Sequence, residues 1–152
     1  MNPTFKIETY IPVKFKKLHP EARVPAYATP GSACFDIFSV ERKWIRQGFA
    51  EIFETGLAFE IPENHVLMVF SRSGHGFKND VRLGNCVGIL DHDYRGELKV
   101  KLRSDGDEDM FVDSGDRIAQ GIIIPYPHVE FEEVDELSET DRGAGGFGST
   151  GK

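Results

Sequence analysis

Glu97-Leu98-Lys99-Val100-Lys101-Leu102-Arg103 is the stretch on which the fold class turns. Its apolar residues fall at every second position with charged ones between them, the period of an extended chain whose alternate side chains point to opposite faces. A helix would scatter those apolar side chains around its circumference, so the segment reads as a half-buried strand. Working outward, Phe49 to Ile61, His65 to Phe70, Arg117 to Pro125 and Val129 to Val134 also read as strands. Gly and Pro interrupt the chain too often for several long helices, which leaves at most one short helix, near Val81. Many short strands separated by turn signals predict an all-β sandwich, jelly roll or distorted β-barrel.

A chain of 152 residues suffices for one domain with a core of its own. Its net charge of -7 disfavours binding to a long nucleic acid through a basic face, because such a field repels phosphate polymers. A small anion gripped by a local Arg cluster stays compatible with it. Cys34 and Cys86 stand far apart and form no CxxC pair, so neither a disulfide framework nor a structural zinc site is indicated. The apolar runs, around Val66 to Phe70 and Ile122 to Ile124, are far shorter than a membrane span, and the N-terminus lacks the apolar stretch of a signal peptide. The expectation is a soluble, cytoplasmic protein that engages no membrane.

Composition shifts only near the end. After the acidic stretch Glu130 to Asp141 the chain reads RGAGGFGSTG from Arg142 to Gly151, half of it glycine. Residues 1–137 are therefore expected to form the β domain, and residues 138–152 a flexible Gly-rich arm. Gly143 to Gly148 spell a literal G-x-G-x-x-G, but only four residues follow, too few for the helix that would hold a pyrophosphate. A disordered tail is the plainer reading of such a terminus. Against it, a bare linker needs neither the guanidinium of Arg142 nor the ring of Phe147. Glycines free the backbone N–H groups to wrap a phosphate, Ser149 and Thr150 add hydroxyls, and Phe147 can stack on a base.

Other motifs carry less. Asp105 to Asp109, DGDED, resembles a calcium loop only superficially, since Met110 stands where the pattern wants Gly; it reads as a solvated hairpin turn. In Ser71-Arg72-Ser73-Gly74-His75-Gly76 the nucleophile elbow fails, because Ser71 occupies its first Gly position. Arg72 and the Ser73 hydroxyl at a strand end suit either a phosphate or an ordinary turn. His75 and His92 have no partners at metal-ligand spacing and read as surface histidines. The segment Gly84 to Glu97 reads as a hairpin: its backbone groups and Asn85 offer a planar edge to a ligand, and Asp91 sets a carboxylate at the rim. A hairpin with a merely solvated DHDYRG tip fits the same residues.

Five segments, taken in order, resemble the five motifs of the trimeric dUTP nucleotidohydrolase (dUTPase) family. They are Ala33 to Ile37, Arg72-Ser73-Gly74, Gly88 to Gly96, Gly115 to Gln120 and Arg142 to Gly151. The resemblance implies a jelly-roll β-barrel homotrimer whose active sites are shared among subunits and closed by a C-terminal arm. It implies magnesium-dependent hydrolysis of dUTP to dUMP and pyrophosphate, which lowers dUTP and supplies dUMP for dTMP synthesis. By motif position, Asp91 resembles the base that activates water, Tyr94 the residue packed under the deoxyribose, and Asn85 with Gly88 and its neighbouring backbone the uracil reader. Arg72, Ser73, Gly74 and Gln120 resemble phosphate contacts, and Arg142, Phe147, Gly148, Ser149 and Thr150 the arm's contacts to γ-phosphate and base. Asp36 resembles the acidic residue near the metal-phosphate network, with magnesium held mainly by triphosphate and water rather than by protein ligands.

Three positions depart from the family pattern. Cys34 stands for Gly, Ser71 for Pro and Gly121 for a larger apolar residue. If the backbone at Cys34 needs a left-handed φ, the side chain costs about 1 kcal/mol there. Two rival functions are weighed. The related dCTP deaminases use a Glu five residues beyond the matched Gly96, where this chain has Lys101. A nucleotide-binding regulator without turnover would need neither Asp91 nor a complete arm.

Overall fold

The computed structural model describes residues 10–149 and is almost entirely β. In chain order the strands are β1 (Lys14–Lys17), β2 (Ala26–Tyr27), β3 (Phe35–Phe38), β4 (Lys43–Ile45), β5 (Ala50–Glu60), β6 (His65–Phe70), β7 (Val81–Leu83), β8 (Val87–Leu90), β9 (Glu97–Ser104), β10 (Met110–Val112) and β11 (Arg117–Pro125). The one helix among the described residues, α1 (Ser73–Asn79), ends before Val81, which itself opens β7. Asp80 stops the helix by turning left-handed, at φ 50°.

All pairings are antiparallel. A four-stranded sheet runs β1-β5-β9-β7, a five-stranded sheet runs β2-β3-β11-β6-β8, and β4 with β10 forms a separate ribbon. Along β9 the side chains alternate as the sequence period requires, with Leu98, Val100 and Leu102 buried and Lys99, Lys101 and Arg103 in solvent. Those inward residues meet Phe53 and Leu57 of β5, Leu67 and Val69 of β6 and Ile37 of β3 in one core. Each such large side chain, fully removed from water, contributes about 1.5–3 kcal/mol. This is the all-β architecture the sequence reading expects.

The register of β5 on β9 slips between Glu54 and Ala58. Gly56 sits at φ 66° in that slip, and a Cβ there would lie 2.7 Å from Cβ of His19, so no other residue fits. Thr55 Oγ1 donates to the Leu98 carbonyl at 2.7 Å, and Glu97 Oε1 accepts from the Gly56 N–H at 2.8 Å, which replaces the ladder bonds the bulge removes.

Three local expectations need correction. Val129 to Val134 joins no sheet and is not a strand. A strand needs a neighbour for its N–H and C=O groups, and the chain's own sheets end elsewhere. Asp105 to Asp109 is a turn but not a hairpin, because β9 and β10 belong to different sheets. The same holds for Gly84 to Glu97: β8 pairs with β6, whereas β9 pairs with β5 and β7.

Candidate active site

That last divergence makes a cleft. Since β8 follows the five-stranded sheet and β9 the four-stranded one, the loop from Asp91 to Gly96 crosses between sheets and the strands part beneath it. The space is about 450 Å³ and is lined by Asn85, Gly88, Leu90, Asp91, Tyr94 and Val100, among others. It suits one small ring system with a few fixed polar groups around it. Asn85 and Gly88 face each other across its inner end: a Cβ on Gly88 would come within 3.8 Å of Asn85 Nδ2 and 3.2 Å of Cβ of Val69. Glycine there leaves the backbone of β8 open to a ligand.

The loop is tied by its own residues. Tyr94 donates its N–H to the Asp91 carbonyl at 3.2 Å and its hydroxyl to the Glu97 carbonyl at 3.1 Å. Gly96 makes the second bond possible, because a Cβ at that position would sit 2.5 Å from Tyr94 Cζ. The Asp91 side chain is exposed on the cleft wall, and its carboxylate accepts no hydrogen bond from the described residues.

A second cleft, about 370 Å³, lies at the other end of the same motifs and is lined by Ala28, Ser32, Ala33, Cys34, Asp36, Arg72, Ser73, Arg117 and Gln120. Asp36 is its hinge. One carboxylate oxygen accepts from Arg72 Nε at 3.1 Å and the other from Arg117 Nη1 at 3.3 Å. The Asp36 side chain is only 14% exposed, so the pair with Arg72 is largely desolvated. Two guanidinium groups oriented by one carboxylate suit an anion with several oxygens. Gln120 donates through Nε2 to the Ser71 carbonyl at 2.9 Å, which leaves its Oε1 toward the cleft residues' polar partners uncommitted among the described residues.

Gly74 opens α1 beside Ser73, with open space where its Cβ would be. The departures at Cys34, Ser71 and Gly121 are all accommodated. Cys34 has no left-handed φ, so the expected strain does not arise. Burial pushes its thiol up, keeping it in the protonated form. Ser71 Oγ accepts the Leu83 N–H at 2.9 Å and so ties the end of β6 to β7. Gly121 makes room for an aromatic ring, since a Cβ there would meet Phe35 Cε2 at 2.7 Å.

The two clefts share no lining residue. Strand β6 explains why. It pairs with β8 on one edge and β11 on the other, so the base-sized cleft with Asp91 opens on one side of it and the cationic cleft on the opposite side. Among the described residues the arm lines neither. Arg142 donates through Nε to the Gly145 carbonyl at 2.7 Å, and Ser149 donates its N–H to the Gly146 carbonyl at 3.1 Å, both local turns. Phe147, at φ 51°, and Gly148, at φ 95°, complete those turns, with the Phe147 ring fully exposed. Thr150 lies outside the described residues.

The dUTPase family model matches residues 20–151. The chain belongs to the dUTPase family. It is 46% identical over 140 residues to the deoxyuridine 5'-triphosphate nucleotidohydrolase of Nautilia profundicola, covering 92% of this chain and 99% of that one. It is 42% identical over 139 residues to the protein of the same name from Helicobacter pylori strain 26695, covering 91% and 96%. Among solved structures it resembles the Staphylococcus bacteriophage 80alpha dUTPase with dUPNHPP, at TM-score 0.87 and 27% identity over 93% of this chain and 99% of that one. A mutant dUTPase from phage phi11 of S. aureus, described as coordinating a structural Mg(II) ion, shares the fold at TM-score 0.77 and 24% identity over 84% and 99%.

Two residues at the cationic cleft draw no role from the sequence reading. Arg117 stands inside the fourth motif-like segment, Gly115 to Gln120, and its side chain lines the cleft. His75 is a correction: it is buried, 8% exposed, not a surface histidine. Its Nε2 lies 2.7 Å from the Arg117 carbonyl, and its Nδ1 is buried without a partner. Burial lowers its affinity for a proton, as do Arg72 and Arg117 nearby, against the opposing pull of the Arg117 carbonyl and Asp116. His92 is partly exposed, and its carbonyl caps Arg95 Nη1 at 2.6 Å. The DGDED turn has structural work instead of chemistry: the Arg82 guanidinium holds the Asp105 carboxyl below the usual carboxylate range, and Asp109 accepts the Gln47 N–H at 2.8 Å.

Among the described residues no three His, Cys, Asp or Glu side chains converge as a cation site, and Asp36 is committed to two guanidiniums. A magnesium ion that arrives on a triphosphate and keeps its waters would fit beside these residues. No described helix is long and apolar enough to cross a membrane.

Proposed function

We propose that the chain hydrolyses dUTP to dUMP and pyrophosphate, with Asp91 as the general base. The observation that carries this reading is the carboxylate of Asp91, unclaimed by any described residue, on the wall of the cleft that holds Asn85, Gly88 and Tyr94. Water is a poor nucleophile. A carboxylate within hydrogen-bond reach takes its proton as it attacks the α-phosphorus in line with the departing pyrophosphate, and no covalent intermediate forms. Magnesium bound through the triphosphate supplies neutralisation of the charge that grows on the leaving group. Arg72, with Ser73, Gly74 and Gln120, holds the phosphate oxygens, and Asp36 orients Arg72 and Arg117 toward them.

Selectivity follows from where donors and acceptors stand around the base. The backbone of β8, held by its ladder to β6, presents them in fixed directions and Asn85 adds an amide, so cytosine, whose edge exchanges donor and acceptor, leaves polar groups unpaired. Thymine is rejected for want of room for its methyl. The Tyr94 ring, pinned through its hydroxyl, occupies the space where a ribose 2′-hydroxyl would project.

The assembly that does this is a homotrimer. One chain holds base-reading and phosphate-holding groups on opposite sides of β6, so they act on one substrate when different copies contribute them. The stretch after β11 supports the same reading, because Phe131 and Leu137 stand 93% and 87% exposed in a part of the chain that joins no sheet. Apolar side chains and free backbone groups of that kind find partners on another copy, and closed rotational symmetry satisfies all copies at once. The arm then closes a neighbour's site, with Arg142, Gly148, Ser149 and Thr150 around the γ-phosphate and Phe147 over the base. Free thiols at Cys34 and Cys86 fit a reducing compartment, and we assign the reaction to the cytoplasm.

The test is to incubate the purified protein with magnesium and dUTP, dCTP, dTTP or UTP and to measure pyrophosphate and base products. Pyrophosphate from dUTP alone is expected, with kcat reduced about 10²–10⁴-fold in Asp91→Asn. Ammonia from dCTP, nucleotide binding without turnover, or full activity in Asp91→Asn would each overturn the reading.

A further inference from the structure

His75 is the one buried side chain among those described that leaves a polar atom unpartnered, and it lies beside the cationic cleft without lining it. A carbonyl oxygen only accepts, so the nitrogen 2.7 Å from the Arg117 carbonyl, Nε2, carries the proton. The orphan Nδ1 is then the bare nitrogen. Arg72 Nη1 donates to that same carbonyl at 3.1 Å and lies 3.3 Å from Nε2, so two donors converge on one acceptor. Through its other side the Arg72 guanidinium reaches Asp36 by Nε, and Asp36 returns to Arg117 Nη1. The remaining nitrogen, Nη2, has no partner among the described residues. A buried polar ring whose second nitrogen goes unsatisfied costs stability; an apolar side chain of similar size would cost less.

We propose that His75 is a positioning residue for phosphate binding: it fixes the Arg117 carbonyl on which the Arg72 guanidinium rests, and so holds Nη2 of Arg72 ready for a phosphate oxygen. The inference rests on the reading of the cationic cleft as the phosphate site. His75 touches no substrate atom itself. Phosphates gripped by Arg72 are present in substrate and in the pyrophosphate product alike, so loss of the imidazole weakens both and acts on KM more than on kcat.

The donor position, rather than bulk, is what distinguishes the variants. Gln places its side-chain N–H near the position of Nε2, Asn is too short to reach the Arg117 carbonyl, and Leu fills the space without a donor. For His75→Leu and His75→Asn, KM for dUTP and the Kd of magnesium pyrophosphate by calorimetry should both rise about 3–10-fold, with kcat within about twofold, as for one lost hydrogen bond. His75→Gln should restore both to within about twofold. If Leu does not fold, the Asn and Gln pair decides. Unchanged KM and Kd in Asn and Leu, or equal losses in all three variants, would overturn the proposal. Failure of the parent to hydrolyse dUTP while still binding pyrophosphate would overturn the enzymatic reading alone, since the calorimetric comparison still holds. A parent that does neither overturns both.

Discussion

Gly96→Ala separates what holds the protein together from what makes it selective. A Cβ at this position would sit 2.5 Å from Tyr94 Cζ and 2.9 Å from Cε2, whereas carbon atoms rest about 3.5–4.0 Å apart, so the ring must retreat by about 1 Å. It can do so cheaply because Tyr94 is 48% exposed. The retreat forfeits the hydroxyl's bond to the Glu97 carbonyl, a loss of about 1 kcal/mol and about 2–4 °C in Tm. Selectivity should suffer far more. A group displaced by about 1 Å loses about 10²-fold of its effect on a bound substrate, and pocket shape that rejects one added hydroxyl supplies about 10²-fold discrimination. The ratio of kcat/KM for dUTP to that for UTP should therefore fall by about 10–10²-fold, measured by pyrophosphate release from each nucleotide beside a thermal melt. A folded variant that keeps the parent's ratio refutes the role of the ring. A loss of stability of more than about 3 kcal/mol refutes the argument that the ring yields freely.

Three further outcomes are expected. Deleting residues 142–152 should leave the melt unchanged, because the arm's described hydrogen bonds are all local, but should cut kcat/KM by about 10²-fold or more through loss of remote binding energy; full turnover without the arm would contradict its closing role. Gly121→Ala, unlike the change at Gly96, presses on the buried Phe35 and Leu67 side chains, which cannot withdraw, and should cost about 1–3 kcal/mol and about 2–12 °C in Tm by calorimetry. As for pH, burial depresses the His75 pKa in the folded protein, so the unfolded chain binds the extra proton below its ordinary value of 6.5. Stability present above that pH is lost as pH falls toward the folded value, and His75→Gln should flatten this part of a Tm-against-pH curve on the acid side of 6.5.

How much of this was legible beforehand depends on the range of the signal. The alternation in Glu97 to Ser104 is a property of each residue and its second neighbour, so the strand and its inward face could be read directly. Val129 to Val134 also reads as a strand and forms none, because residue types are local and a ladder partner is not. Asp91, Tyr94, Arg72 and Gln120 stand in segments that resemble family motifs, and the structure sets them on two cleft walls. The burial of His75 and the bond of Arg117 to Asp36 were not legible, since each depends on groups brought from other strands.

By itself, then, the sequence determined the strand periods, the inward and outward faces, the glycine-rich arm and the residue types able to activate water or grip phosphate; each follows from local sterics and side-chain chemistry. Only the tertiary structure decided that β8 and β9 part into different sheets to open a cleft, that Asp36 spans Arg72 and Arg117, that His75 is enclosed, and that β6 separates the two halves of the site. Those facts come from which strands share an edge, and strand order is settled by burying one common core across long chain separations, a sum over many distant contacts that no short window of residues records.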